Sequence, residues 1–159
     1  MNLWFFINCL PMLWVIIVFG YKTPQVPIIY YSHLTAIIGL FFVLINWNMH
    51  ALFSKIRHLT NRKQRIKIAN YARKLMPIHH ITGIIGLIFI ITHFLLVFLS
   101  YGTFAIQFKF LSGLFAFMAL LIVSISGWMR RVKATRTRRL FHLYAGMVLY
   151  FLILVHIFM

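Results

Sequence analysis

The sequence contains no aspartate and no glutamate, set against 16 Lys+Arg. No basic group can therefore be neutralised by an acidic side chain of this sequence, and the lack of carboxylates argues against a path for cations. Cysteine is almost as scarce: Cys9 is the only one, which excludes an internal disulfide and a thiolate metal site. Charged residues of any kind make up 10% of the chain, whereas 63% of it is hydrophobic and 18% aromatic. A water-soluble domain of 159 residues with that composition would lack the polar side chains to cover its surface. Lipid is the solvent that fits. The apolar start, Met1–Gly20, lacks the basic flank and small-residue cleavage site of a secretion signal, and is expected to be kept as a helix.

The apolar runs at 2–20, 28–53, 77–100, 106–128 and 140–158 are each long enough to cross about 30 Å of hydrocarbon. They predict an all-α integral membrane protein of about five transmembrane helices, forming one domain over 1–159. Pro11 should kink the first span, whose freed carbonyl a neighbouring helix must then cover. The stretch 54–76 reads as a basic loop with weak helical periodicity, which could lie on anionic headgroups. It carries Lys55, Arg57, Arg62, Lys63, Arg65, Lys67, Arg73 and Lys74, and the next long connection carries Arg130, Arg131, Lys133, Arg136, Arg138 and Arg139. Two spans separate these loops, so they emerge together, and 14 of the 16 bases share one face, leaving Lys22 and Lys109 on the other. That is the positive-inside pattern, with the basic loops cytoplasmic. It accounts for the charge without nucleic acid. Trp4, Trp47, Trp128, Tyr21, Tyr30, Tyr31 and Tyr101 gather toward span ends, where interfacial aromatics anchor helices.

Seven of the eight histidines, all but His58, lie in or at the ends of these runs. Ionisable groups inside a bilayer are costly and need a role. His79 and His93 are 14 residues apart, as are His142 and His156. On a helix, 14 residues return to within about 40° of the same face after a rise of about 21 Å. Two histidines of one helix can thus face two of another at two depths, and each facing pair can hold one haem iron through neutral imidazole nitrogens. His80 is the competing ligand to His79; it lies about 140° in azimuth from His93 on a straight helix, so His79 is preferred. Gly83 and Gly86 fall on the ligand face, where the missing side chain makes room for a porphyrin. Each feature has a plainer explanation, since membrane histidines and glycines also serve helix packing.

The segment His79-His80-Ile81-Thr82-Gly83 followed by His93, and the basic stretch leading into Leu140-Phe141-His142-Leu143-Tyr144 with His156 beyond, resembles the ferric-reductase-like transmembrane domain. Ferric reductases, NADPH oxidases and the haem subunit of methionine-sulfoxide reductase systems share it. The resemblance covers roughly residues 34–159, and the spacing of the later pair is closer to that of the four-helix cytochromes b of quinol-oxidising complexes. It implies a bis-histidine membrane cytochrome b with two b-type haems.

The expectation is an electron-carrying subunit of a larger oxidoreductase in a bacterial inner or plasma membrane, with no catalytic site of its own because both axial positions of each iron are filled. Arg73, Lys74, Arg136, Arg138 and Arg139 are candidates to neutralise the propionates of the inner haem. Lipids, other subunits of a redox complex and an acidic or flavin-containing donor are the expected partners, since no flavin- or nucleotide-binding segment occurs here. His33 and His50 are expected to make interhelical hydrogen bonds, with a role as alternative haem ligands or as donors at a quinone site left open. Two rival functions stand beside this one, a structural assembly subunit and a metal or proton transporter.

Overall fold

The computed structural model describes residues 2–21, 25–101 and 108–159, with side chains from residue 9 onward except residue 101. Lys22 and the side chains of Trp4 and Tyr101 lie outside these. All regular structure among the described residues is helical: α1 Asn2–Tyr21, α2 Pro27–His58, α3 Arg62–Tyr101, α4 Phe108–Val132 and α5 Arg136–Phe158. The helices α2 to α5 are long and apolar enough to cross a membrane, and Cys9–Tyr21 of α1 is a shorter apolar helix. Neither Pro11 nor Pro77 interrupts its helix. Large apolar side chains face outward along the bundle, among them Leu99 at 71% and Phe151 at 65% exposure. In a membrane that surface is the lipid contact.

The expected basic loop at 54–76 is corrected to a turn of three residues. Only 59–61 separate α2 from α3. Lys, Arg, Gln, Ala, Leu and Met are good helix formers whatever their charge, and Asn61 supplies the cap, its Oδ1 accepting from the backbone N–H of Lys63 at 3.0 Å and of Gln64 at 3.3 Å. At 40 residues, α3 is about 60 Å long, twice the hydrocarbon thickness. Its Arg62–Lys74 end therefore stands beyond the apolar layer as a basic helical extension.

The connection between α4 and α5, 133–135, is equally short. Thr135 caps α5, accepting from the Arg138 backbone N–H at 3.3 Å, and the Arg138 guanidinium donates to the carbonyls of Met129 at 3.0 Å and Lys133 at 3.3 Å. A cation thus satisfies the end of α4.

The result is two antiparallel hairpins, α2 with α3 and α4 with α5, with α1 laid against α2 and α5. Lipid offers no hydrophobic drive for helix association, so close approach depends on small residues. At the α2–α3 crossing a Cβ on Gly39 would meet Ile90 Cδ1 at 2.5 Å, and one on Gly86 would meet Phe42 Cβ at 3.0 Å. Between hairpins the packing is looser. Among the described residues no Cα of α3 lies within 8 Å of one of α5, and the space across this diagonal is where the cavities lie. Ala119, Leu120 and Leu149 form the buried core, with Val43, Leu87, Ile90 and Val123 against it.

Trp47, expected to anchor its span end, has a partner inside the bundle as well. Its indole stacks on Tyr150 of α5 at 4.6 Å with planes 3° apart, and so joins the two hairpins. Trp128, at 70% exposure, remains an end-of-span aromatic.

Both short turns lie at one end of the bundle because two spans, α3 and α4, separate them. In a chain whose only native thiol is replaced by Cys9→Ser, Arg65→Cys and Lys133→Cys should react with a membrane-impermeant maleimide from the same side of sealed vesicles. Reaction of the two from opposite sides would overturn the topology.

Candidate functional site

The four histidines singled out by their spacing sort into two levels. At the basic end the rings of His79 on α3 and His142 on α5 lie 6.5 Å apart, centroid to centroid, with planes at 90°. They border a cavity of about 820 Å³ whose lining also includes His80, Gly83, Arg130 and Arg139. At the other end His93 and His156 border a second cavity of about 420 Å³, with His33 and Lys109 beside them. Both volumes fall in the range of small-molecule and cofactor sites, about 300–1,000 Å³. Val43, Leu120 and Leu149 line both cavities, so an apolar layer separates the levels.

The ring that meets His142 is that of His79. His80 is its neighbour, with centroids 5.8 Å apart. A metal–imidazole bond is about 2.0–2.1 Å, and a ring nitrogen sits about 1.1 Å from the centre of a five-membered ring with bonds of roughly 1.35 Å. Two imidazoles holding one ion from opposite sides therefore have centroids about 6.3 Å apart. The observed 6.5 Å matches that distance. Nδ1 of His79 is buried without a hydrogen-bond partner among the described residues, which a dry helical bundle does not tolerate cheaply.

The other three rings are each held at Nδ1. That of His93 bonds to the backbone carbonyl of Ser32 at 2.8 Å, that of His142 to Ser126 Oγ at 2.9 Å, and that of His156 to Ser112 Oγ at 3.1 Å. Ser32 and Ser126 are the buried polar residues among the described ones, each 2% exposed. Two glycines complete the arrangement on α4. A Cβ on Gly113 would lie 2.8 Å from His156 Cε1, and one on Gly127 would lie 3.2 Å from His142 Cε1.

These α4 residues were missed in the sequence. Their signal is a third 14-residue spacing, Ser112-Gly113 and Ser126-Gly127, which in an antiparallel hairpin falls opposite His156 and His142.

The glycines expected beside the histidines divide. Gly83 borders the basic-end cavity, with Asn46 Nδ2 3.6 Å from where its Cβ would be. Gly86 is spent on the α2 crossing, against Phe42 and the carbonyl of Gly39. The bases divide too. Of the five expected near the basic-end pair, Arg139 lines the cavity, whereas Arg73 donates to Asn70 Oδ1 at 2.7 Å on its own helix and Arg138 caps α4. Arg57, Arg130 and Arg131 line the cavity instead, because the ends of α2 and α4 come level with His79.

Lys109 donates to the His156 carbonyl at 2.5 Å and so holds the C-terminal turn of α5. His33, expected to bond across to a neighbouring helix, bonds within its own. Nδ1 of His33 bonds to the Ile29 carbonyl of its own helix at 2.7 Å and the ring stacks over Phe19 of α1 at 6.2 Å, while His50 stacks on Trp47 at 5.1 Å. His58 is an exposed residue at the end of α2. Against protein-family models, curated proteins and solved structures alike, the chain gives no match.

Proposed function

We propose that the chain is a membrane cytochrome b subunit that carries electrons across the bilayer by holding two b-type haems, one between His79 and His142 and one between His93 and His156. The observation that carries this is the His79–His142 pair, 6.5 Å apart across a cavity of about 820 Å³. Paired imidazoles suit an ion whose remaining positions are filled by a macrocycle. Zinc takes three or four protein ligands at structural and catalytic sites, and among the described residues no group of three or more His or Cys side chains is placed to hold a metal.

Bound there, the haems supply reversible one-electron oxidation and reduction of iron. His79 and His142 at one level and His93 and His156 at the other would hold the haems through ring nitrogens, and the apolar side chains around them would keep water out. Held by a histidine from each side, such a haem would pass electrons, and the chain would make and break no substrate bonds. Val43, Leu120 and Leu149 close off one level from the other, which keeps the local dielectric low. Arg57, Arg130, Arg131 and Arg139 around the basic-end cavity are available to pair with carboxylates, since the chain has none of its own.

By the positive-inside rule the basic end faces the cytoplasm of a bacterial inner or plasma membrane. The extension Arg62–Lys74 then offers an acidic or flavin-containing donor a docking surface, with further subunits or quinone as the other redox partners.

Purified protein should contain two haems b per chain by pyridine haemochrome, low-spin in both oxidation states. One haem or none would defeat the two-level arrangement. His79→Ala should remove the basic-end haem and His80→Ala should leave it bound; the reverse would assign the ligand to His80. Reduction by an acidic donor should slow steeply as salt rises, because steering is screened within about 8–10 Å at ordinary ionic strength. Reversing Arg62, Lys63 and Arg65 to Glu should slow it further without altering the haem spectrum. A rate indifferent to both would mean that electrons enter through a membrane-embedded partner.

A further inference from the structure

Helix α4 contributes no ligand of its own, yet it touches both α5 histidines through the same two residue types at the same spacing. The Ser126 hydroxyl donates to the Val123 carbonyl at 2.8 Å and the Ser112 hydroxyl donates to the Lys109 carbonyl at 2.9 Å. A serine has one proton to give. Once it is given to the helix backbone, the oxygen can only accept, so the imidazole nitrogen facing it must carry the hydrogen. That nitrogen is Nδ1 in His142 and in His156.

We propose that Ser112 and Ser126 are positioning residues that fix His156 and His142 in the tautomer with hydrogen on Nδ1, so that each presents the Nε2 lone pair to iron. This rests on the haem assignment above for its purpose, although the tautomer itself does not depend on it. Gly113 and Gly127 complete the device by letting the rings approach the α4 backbone. A side chain at Gly113 would have to displace the His156 ring, since its Cβ would stand 2.8 Å from Cε1. A bond from Nδ1–H to an oxygen also raises the basicity of Nε2 and favours the oxidised metal. The two serines therefore set potential as well as geometry, each at its own level.

The test uses the full chain in lipid nanodiscs, prepared from haem-deprived cells with ¹⁵N-labelled histidine, and reads the ring nitrogens by NMR. In the parent chain His142 and His156 should both carry hydrogen on Nδ1. Ser126→Ala should convert His142 alone to a tautomer mixture and Ser112→Ala should convert His156 alone. Ser112→Thr, which keeps the hydroxyl at a half-buried position, should preserve the parent state. Ser100→Ala is the control, because that hydroxyl donates to Leu96 in the same way.

In haem-loaded protein, Ser126→Ala should raise the midpoint of the basic-end component only. Losing the bond that supports a ligating imidazole costs about tenfold in metal affinity, which, falling on the oxidised state, is about 59 mV for one electron. Parent rings with hydrogen on Nε2, or alanine variants that change neither tautomer nor potential, would overturn the proposal while leaving haem binding untouched. A chain with the expected tautomers that takes up no haem would refute the haem assignment and leave this one standing.

Discussion

An imidazole carried into hydrocarbon must have its nitrogens answered, because no water is there to do it and an unpaired polar group costs several kcal/mol (about 4–8 on a water-to-cyclohexane scale). That requirement organises this bundle. In each hairpin the helix bearing histidines lies beside one bearing acceptors: α5 beside Ser112 and Ser126 of α4, α3 beside Ser32 of α2. The tight contacts are within hairpins, where the Nδ1 bonds are made, and the looser ones lie between hairpins, where the cavities are. His93, His142 and His156 are thus fastened on their hairpin side, and the histidines of α3 and α5 border the same cavities across the diagonal of the bundle.

The same division explains how the two cavities coexist with a stable fold. Lipid gives no net reward for burying apolar side chains between helices, so the hairpins need only one short stretch of mutual contact. Ala119, Leu120 and Leu149, with Val43, Leu87 and Val123 against them, supply it near the middle. Above and below, the diagonal stays open at the two histidine levels. The layer that joins the hairpins is the layer that separates the cavities, so a mutation that thickened or thinned it would alter packing and insulation together.

The helices and the histidine levels were legible in the sequence, because both rest on local regularities: the length of apolar runs and the return of a helix face after 14 residues. What could not be read was how polar residues are divided between competing uses. The basic stretch at 54–76 looked like a loop since charge is scarce inside membranes, but charge also marks a helix that has left the membrane, and Asn61 and the good helix formers after it settle which. Gly83 and Gly86 both lay on a face shared with histidines, and only packing against Phe42 shows that Gly86 belongs to the crossing. Arg73 and Arg138 were near enough in sequence to serve the basic-end site, yet Asn70 and the end of α4 hold them. The Ser-Gly repeat on α4 was visible as letters and had no meaning until the antiparallel register put it opposite His142 and His156.

That register also shows where the arrangement is incomplete. Counting 14 residues along α2 from Ser32, which answers His93, leads to Asn46, which by the same register lies level with His79. Asn46 is engaged elsewhere, its Oδ1 accepting from the Thr82 hydroxyl at 2.9 Å, and that hydroxyl also lies 2.8 Å from the Ile78 carbonyl. Among the described residues Nδ1 of His79 is left without a hydrogen-bond partner. Three of the four rings therefore have their orientation and tautomer dictated by protein, and the fourth does not. His79 is the ring that hydrogen bonds to the described residues leave least constrained, with the rings of His80 and His142 beside it at the level of the larger of the two cavities.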